Sequence, residues 1–318
     1  MVVRVLIALL ALVALPGAFV SAQDYPGKPV RIVVPTSPGG VNDVVTRLVA
    51  PKLSEALGRP VFVENHPPTV RGTALVAKAA PDGYTLLSIF DNFPIIQILY
   101  RDVPYDARKD FSPVCLVVRN PMIVAVPADL GVKDLKDFLQ LARSRSASFN
   151  YGTAGAGTSS HLTVELFKRT TGIEVQAVHY KGAGPAVGDL LGARVQLMIA
   201  AFGTLSAHVR SGKVTPLAVT SLERLALLPN VPAMAEVYPG FESRGWQGMV
   251  APAGTPSEIV ARVNADMGRA LRAPDVRRTL EGQAYEIVGS PPQVLGELIN
   301  AEYQKWERVI REQRITLD

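Results

Sequence analysis

The 318-residue chain reads as an α/β protein of two lobes. Short β-rich runs alternate with helical patterns from end to end, which is the pattern of an α/β fold. At roughly 150 residues per domain the length allows two domains. No low-complexity linker divides the halves, so strands are expected to cross between the lobes and leave a cleft.

The predicted strands are Val30–Val34, Val61–Val63, Tyr84–Ile89, Val114–Val118, Ile123–Val126, Ser148–Tyr151, Val175–Val178, Val195–Ala200, Thr215–Thr220 and Gly248–Ala251. Most are rich in β-branched or aromatic residues, and turn residues bound many of them. Helical patterns fall at Val41–Leu57, Leu135–Ala142, Ser160–Thr170, Pro185–Leu191, Pro256–Leu271 and from Pro292 to about Gln313. The last places Leu295, Leu298, Ile299, Tyr303, Trp306, Val309 and Ile310 on one face at 3.6-residue spacing. Pro51 is expected to kink the first helix or end it early.

Composition removes several classes of function. With 48% hydrophobic residues the chain is not disordered, and one cysteine cannot staple a disulfide scaffold. Cys115, between Val114 and Leu116, reads as a small core residue. Lys+Arg outnumber Asp+Glu by 33 to 28 without basic blocks, so the charge gives no reason to expect a nucleic-acid partner. Mean hydropathy is high at +0.19, and part of the excess lies at the start. Arg4 precedes an apolar stretch from Val5 to Leu15, ended by Pro16-Gly17 and followed by Val20-Ser21-Ala22. That is the layout of residues 1–22 as a signal peptide cleaved after Ala22, with the mature chain exported to the periplasm. The stretch is short of the ~20 apolar residues of a membrane span.

Two glycine loops carry the binding chemistry. In Thr36-Ser37-Pro38-Gly39-Gly40-Val41-Asn42-Asp43 a strand runs into a turn, and Asn42 or Asp43 is placed to cap the next helix. The second, Tyr151-Gly-Thr153-Ala-Gly-Ala-Gly157-Thr158-Ser159-Ser160-His161, repeats the plan. Glycines admit a ligand close to the backbone, and a helix start offers unpaired N–H donors with partial positive charge, so each loop is an anion cradle. Hydrogen bonds to a charged acceptor, about 1.5–3 kcal/mol each, outweigh the roughly 0.3–1 kcal/mol of the helix dipole. A third glycine turn, Tyr180-Lys181-Gly182, sets Lys181 either at the cleft rim or in solvent.

Competing chemistries lack their residues. Ser160 stands where a dinucleotide fingerprint needs its third glycine, and no phosphate-binding P-loop is present. No nucleophile elbow or H-E-x-x-H motif occurs. An exported hydrolase would have to use Ser159 or Ser160 with His161, and sequence adjacency does not make a triad. His161 and Glu165 share a helix face, but nothing in sequence ties further ligands to them for a metal. No catalytic residue, cofactor or metal is assigned.

At this level the chain resembles the substrate-binding receptors of tripartite tricarboxylate transporters, the Bug-type proteins. The resemblance rests on Tyr25-Pro-Gly-Lys-Pro-Val-Arg-Ile-Val-Val-Pro35, Pro38-Gly-Gly-Val-Asn-Asp43 with Arg47, Lys78-Ala-Ala-Pro-Asp-Gly-Tyr-Thr-Leu-Leu87 and Tyr105-Asp106 with Asp110-Phe-Ser-Pro113. It continues through Tyr151 to His161, Tyr180-Lys-Gly182 with Asp189-Leu-Leu-Gly192, Gly212-Lys213 with Leu217-Ala-Val-Thr220, and Ala251-Pro-Ala-Gly-Thr-Pro256. It implies a type II periplasmic-binding-protein-like Venus flytrap with crossing hinge strands. The lobes would be 24–124 plus 222–318, and 125–221.

The same resemblance implies a non-enzymatic monomer that captures a small carboxylate-bearing organic anion and delivers it to the permease subunits of the transporter. A sensor kinase of a two-component system is the alternative partner. The ligand-binding residues expected from one lobe are Gly39, Gly40 and Asp43, which the resemblance implies, with Ser37 and Pro38 of the same loop and Asp91, which departs from the family pattern. From the other come Thr153, Gly157, Thr158, Ser159, His161, Lys181, Gly182 and Gly203.

The chain also departs from the family pattern. Glu64-Asn-His-Pro-Pro-Thr-Val-Arg-Gly-Thr73 is shorter than the usual glycine-rich loop and offers Arg71 or His66 in its place. His179 replaces a common proline, and Ala200-Ala-Phe-Gly203 stands where an acidic residue is frequent. Where small residues usually follow the third strand, this chain has Ser88-Ile-Phe-Asp-Asn-Phe-Pro94. Facing the cleft, Asp91 would disfavour a dianion or welcome an amino group; facing outward, it would be solvated.

Overall fold

The computed structural model describes residues 25–145 and 148–315. The segment read as a signal peptide lies outside the described residues. In chain order the elements begin β1 (Val30–Val34), α1 (Val41–Leu57), β2 (Val61–Asn65), α2 (Thr69–Ala77), β3 (Thr85–Phe90), α3 (Phe93–Leu99) and β4 (Phe111–Pro127). There follow α4 (Leu135–Ser144), β5 (Asn150–Thr153), α5 (Ser159–Thr171), β6 (Gln176–His179), α6 (Ala183–Leu191), β7 (Leu197–Ala201), α7 (Phe202–Arg210) and β8 (Val214–Val219). The chain closes with α8 (Met234–Val237), β9 (Arg244–Pro252), α9 (Ser257–Leu271), α10 (Pro274–Glu281), β10 (Glu286–Ile287) and α11 (Pro292–Glu312).

Ten strands form one continuous sheet, along the path β2-β1-β3-β9-β4-β7-β5-β6 with β8 and β10 also on β4. β1 pairs in parallel with β2 and β3, as βαβ units require, and β5 pairs in parallel with β6 and β7. The long strand β4 joins the halves. Phe111 to Pro121 pairs with β9 in one lobe, and from Met122 onward the same strand pairs with β7 and β8 in the other. Sequence reasoning splits this strand in two because Pro113 and Pro121 interrupt the β pattern. Pro121 lies where one pairing ends and the next begins, and its missing donor costs no ladder bond there.

The return crossing runs beside it. Thr220 N–H donates to the Met122 carbonyl at 2.9 Å, and Ser243 N–H donates to the Thr220 carbonyl at 3.1 Å. Thr163 and Ser243 hydroxyls meet at 2.7 Å beneath them. Separate cores fill each half: Leu53, Leu86, Val263 and Met267 on one side, Phe138, Tyr151, Phe167 and Leu197 on the other. The segment after β8 packs with the second half, through Leu225, Leu228, Val231, Met234 and Phe241. Cys115 is fully buried in the first core, and burial pushes its thiol up to about 12.

Pro51 does not end α1, which runs unbroken to Leu57. Pro51 and Arg47, whose carbonyl loses its partner, both lie on the exposed side, where water replaces the missing bond. The sequence reading omits α2, α3 and α7. Each starts at or beside a proline or after a strand, where turn chemistry masks a short helical period. Pro68 is the N-cap of α2, and Pro94 occupies the first turn of α3.

Candidate functional site: an interlobe cavity between two helix starts

The first helix start is held from behind. Gly40 caps α1 with extended backbone and no side-chain acceptor, so the first amides of the helix are left without a side-chain partner. The loop before it turns through Gly39 at φ +81°, a left-handed conformation that favours glycine. Asp43 reaches back to fix this loop. It accepts from Gly39 N–H at 2.9 Å, from Asn65 Nδ2 at 2.8 Å and from Arg47 Nε at 2.9 Å. Burial pushes this carboxyl up, yet the bonds from Gly39, Asn65 and Arg47 prevail and hold it below its ordinary value. Asn65 also donates to the Thr36 carbonyl at 3.1 Å, tying β2 to the same loop.

The second helix start caps itself. Thr158 Oγ1 accepts from His161 N–H and donates to the Gly155 carbonyl at 2.7 Å. Ser160 Oγ lies 3.0 Å from Thr158 Oγ1 and accepts from Ala154 N–H. Behind the loop, His161 Nδ1 accepts from Gly157 N–H at 3.0 Å. Burial lowers the His161 imidazole to about 4, with the neighbouring His179 adding to the effect. The ring therefore stays neutral at physiological pH and keeps the lone pair that the glycine loop needs.

The two starts face one cavity of about 420 Å³, a volume suited to a small ligand. Thr36, Gly40, Val41, Asn42, Phe90 and Asp91 line it from one lobe. Ala154, Thr158, Ser159, Ser160, Gly182 and Ala183 line it from the other, with Asn120, Met122, Trp246 and Gln247 from the crossing strands between. Trp246 Nε1 and Gln247 Oε1 are buried without a hydrogen-bond partner among the described residues. A polar group left so is costly unless a ligand or water completes it. Asp91 is the one ionisable side chain among the lining residues. Burial raises its carboxyl to about 7 against the Ser159 hydroxyl, which lowers it, and the Glu302 carboxylate raises it further.

Several residues named from sequence stand elsewhere. Gly40, Asp91, Thr158, Ser159 and Gly182 line the cavity. Asp43, Gly157 and His161 lie behind it and brace the loops. Thr153 is fully buried, bonded to Gly155 and to His179 Nδ1. Ser37, Pro38, Gly39, Lys181 and Gly203 are exposed outside the lining, as are Arg71 and, half-exposed beside Glu64, His66. These positions follow from the backbone. Turn tips point away from a cleft, and its wall is the helix start that comes next. Sequence reasoning misses Trp246, Gln247 and Asn120 because residues of a crossing strand look like ordinary core; only the polar atoms within a buried strand mark them out.

Hydrolytic or metal chemistry finds no support in this geometry. Ser160 hydrogen-bonds Thr158 and Ala154, while the His161 ring accepts from Gly157, so no described hydrogen bond joins a serine to His161 as a base. Among the described residues no group of three or more His, Cys, Asp or Glu side chains forms a metal site. No helix of the described residues is long and apolar enough to cross a membrane.

Residues 45–315 match the family model of the tripartite tricarboxylate transporter family receptor. The chain belongs to this receptor family. Protein BugT of Bordetella pertussis is 35% identical over 302 residues, covering 93% of this chain and 92% of that protein. A Rhodopseudomonas palustris protein solved with adipate, Rpa4515, is 34% identical with a TM-score of 0.81, over 92% of this chain and 99% of that one. MatC from the same organism, solved with bound malate, is 32% identical with a TM-score of 0.77, over 90% and 100%. The receptor has the two-lobed type II periplasmic-binding fold, and its family is one of solute-binding proteins rather than enzymes.

Proposed function

We propose that the protein is a periplasmic receptor that captures a small organic carboxylate between its lobes and hands it to the membrane permease of a tripartite tricarboxylate-type transporter. The observation that carries this reading is the pairing of two helix starts across one cavity, with lining from both lobes and from the crossing strands. Backbone amides of Val41 and Asn42 at the start of α1, with Ser159 and Ser160 at the start of α5, supply the donors. Thr36, Gly40, Thr158 and Gly182 shape the walls. Asp43 and His161 hold the two loops in place. A ligand touching both lobes favours their approach, because only the closed arrangement makes all the contacts together. The lobe division belongs to the same proposal, with the turn between lobes at the Met122, Thr220 and Ser243 bonds; of the stretch 222 to 318 expected in the first lobe, 222 to 241 goes instead with the second, on whose core Leu225, Met234 and Phe241 pack. The likeness to receptors solved with adipate and malate supports a carboxylate ligand. Export through residues 1–22, with cleavage after Ala22, places the receptor where such a transporter collects its substrate.

Thermal shifts of the purified mature protein across a panel of mono- and dicarboxylates test the reading. A saturable stabilisation by at least one carboxylate is expected, and stabilisation by none of them overturns it.

A further inference from the structure

The two helix starts are not equally vacant. At α1 the cap is a glycine with no side-chain cap bond, and among the described residues no side chain accepts from the first amides. At α5 an acidic side chain of the opposite lobe is already present: Asp91 lines the same cavity as Ser159 and Ser160, the first residues of α5. Asp91 follows β3 and so projects from the first lobe toward the second lobe's anion cradle. Among the described residues no lysine or arginine lines the cavity to neutralise a second negative charge. The remaining wall is apolar to a large degree, with Phe90, Met122, Met198, Ala200, Ala201 and the Trp246 ring.

We propose that Asp91 occupies one of the two anion positions from within the chain, so that the receptor takes a ligand with a single carboxylate on an apolar body and rejects dicarboxylates. The inference rests on the receptor reading above and names the substrate class of that same cavity. The ligand carboxylate meets the bare amides at α1, and its apolar body lies against Phe90 and Trp246. Its far end approaches Asp91, where a hydroxyl or amide donor is welcome and a second carboxylate meets a like charge in a poorly hydrated site. Discrimination thus comes from a repulsive element built into the wall.

The test is calorimetric titration at pH 8 with pairs that differ by one carboxylate: hexanoate against adipate, and 3-hydroxybutyrate against malate. The wild-type protein is expected to bind the monocarboxylate of at least one pair tenfold or more tighter than its partner. Asp91→Asn, nearly isosteric, is expected to bring that ratio to one or below by raising dicarboxylate affinity at least tenfold, with Asp91→Ala as the second variant and a melting curve to show that each is folded. Tighter binding of dicarboxylates by the wild type overturns the inference and leaves the receptor reading standing. So does an unchanged ratio in both folded variants. Failure of all four compounds to bind overturns the inference, and the receptor reading falls with it only if the wider carboxylate panel also gives no stabilisation.

Discussion

The two helix starts that meet across the cavity solve the same backbone problem in opposite ways. α1 begins on a glycine with no side-chain cap, and its acidic residue, Asp43, turns away from the cavity to hold the loop. α5 begins on a threonine that caps it, with a second hydroxyl on its own loop, and faces an acidic residue from across the cleft. A helix start can be finished by its own side chains or left for a ligand, and the first choice lowers what it offers to the second. The two carboxyls show the same contrast in their ionisation. Donors hold Asp43 below its ordinary value, so its support for the fold is present above pH 3.8 and lost as pH falls through its lowered pKa. Asp91 is raised to about 7, so its ionisation costs stability as pH rises from about 4 to about 7, and the cost levels off above that.

The largest effect is expected from breaking the brace at α1. Asp43→Ala removes the acceptor for three hydrogen bonds. The freed Arg47 and Gly39 groups are solvent-accessible and partly rehydrate, so the net loss is about 2–3 kcal/mol rather than the full sum. Urea denaturation measures it, and carboxylate affinity is expected to fall at least tenfold because the loop loses its shape. Normal affinity in a folded Asp43→Ala variant would separate the loop from binding.

A second variant makes α1 resemble α5. Gly40→Asp supplies the missing side-chain cap. The backbone there is extended at φ −68°, and an added Cβ meets at closest the Ser37 carbonyl at 3.4 Å, so the change is accommodated. Stability is expected to rise by a few tenths of a kcal/mol, while the new carboxylate competes for the ligand's amides and weakens binding about tenfold or more. Stability up and affinity down is the signature sought; affinity unchanged would mean that the ligand does not use these amides.

The pH arm sharpens the role of Asp91. Besides Ser159, the groups facing it are Glu302 and Lys305 on α11 and Tyr285 before β10. Adipate affinity is expected to increase as pH falls from 8 to 6, by at most about tenfold per pH unit for one proton taken up, whereas hexanoate should change little. The smallest effect belongs to Ser159→Ala, which removes from the cavity wall the hydroxyl that lowers the Asp91 carboxyl. It should move the midpoint of the adipate pH profile upward, and an unmoved midpoint would detach Ser159 from that carboxyl.

Much of this was legible beforehand where local chemistry decides structure. β1 and α1 stand at their predicted bounds because a β-branched run, a glycine turn and a periodic apolar face agree with one another. Both glycine loops that lead into helix starts are visible for the same reason. What escaped was set by tertiary placement. β4 reads as two strands because nothing local shows that Pro121 falls at a change of pairing partner. Sequence places Asp43 and His161 among the ligand contacts, though each turns its hydrogen bonds into its own loop. Trp246 and Gln247 carried no signal, since their significance lies in the polar atoms that the surrounding sheet leaves unpaired.

The most direct measurement is a calorimetric titration of the mature protein with hexanoate, adipate, 3-hydroxybutyrate and malate, repeated on Gly40→Asp. One ligand bound per chain, with affinity reduced at least tenfold by the substitution, is the predicted result. Absence of binding to every compound, or equal affinity in the two proteins, would contradict a carboxylate held at the bare start of α1.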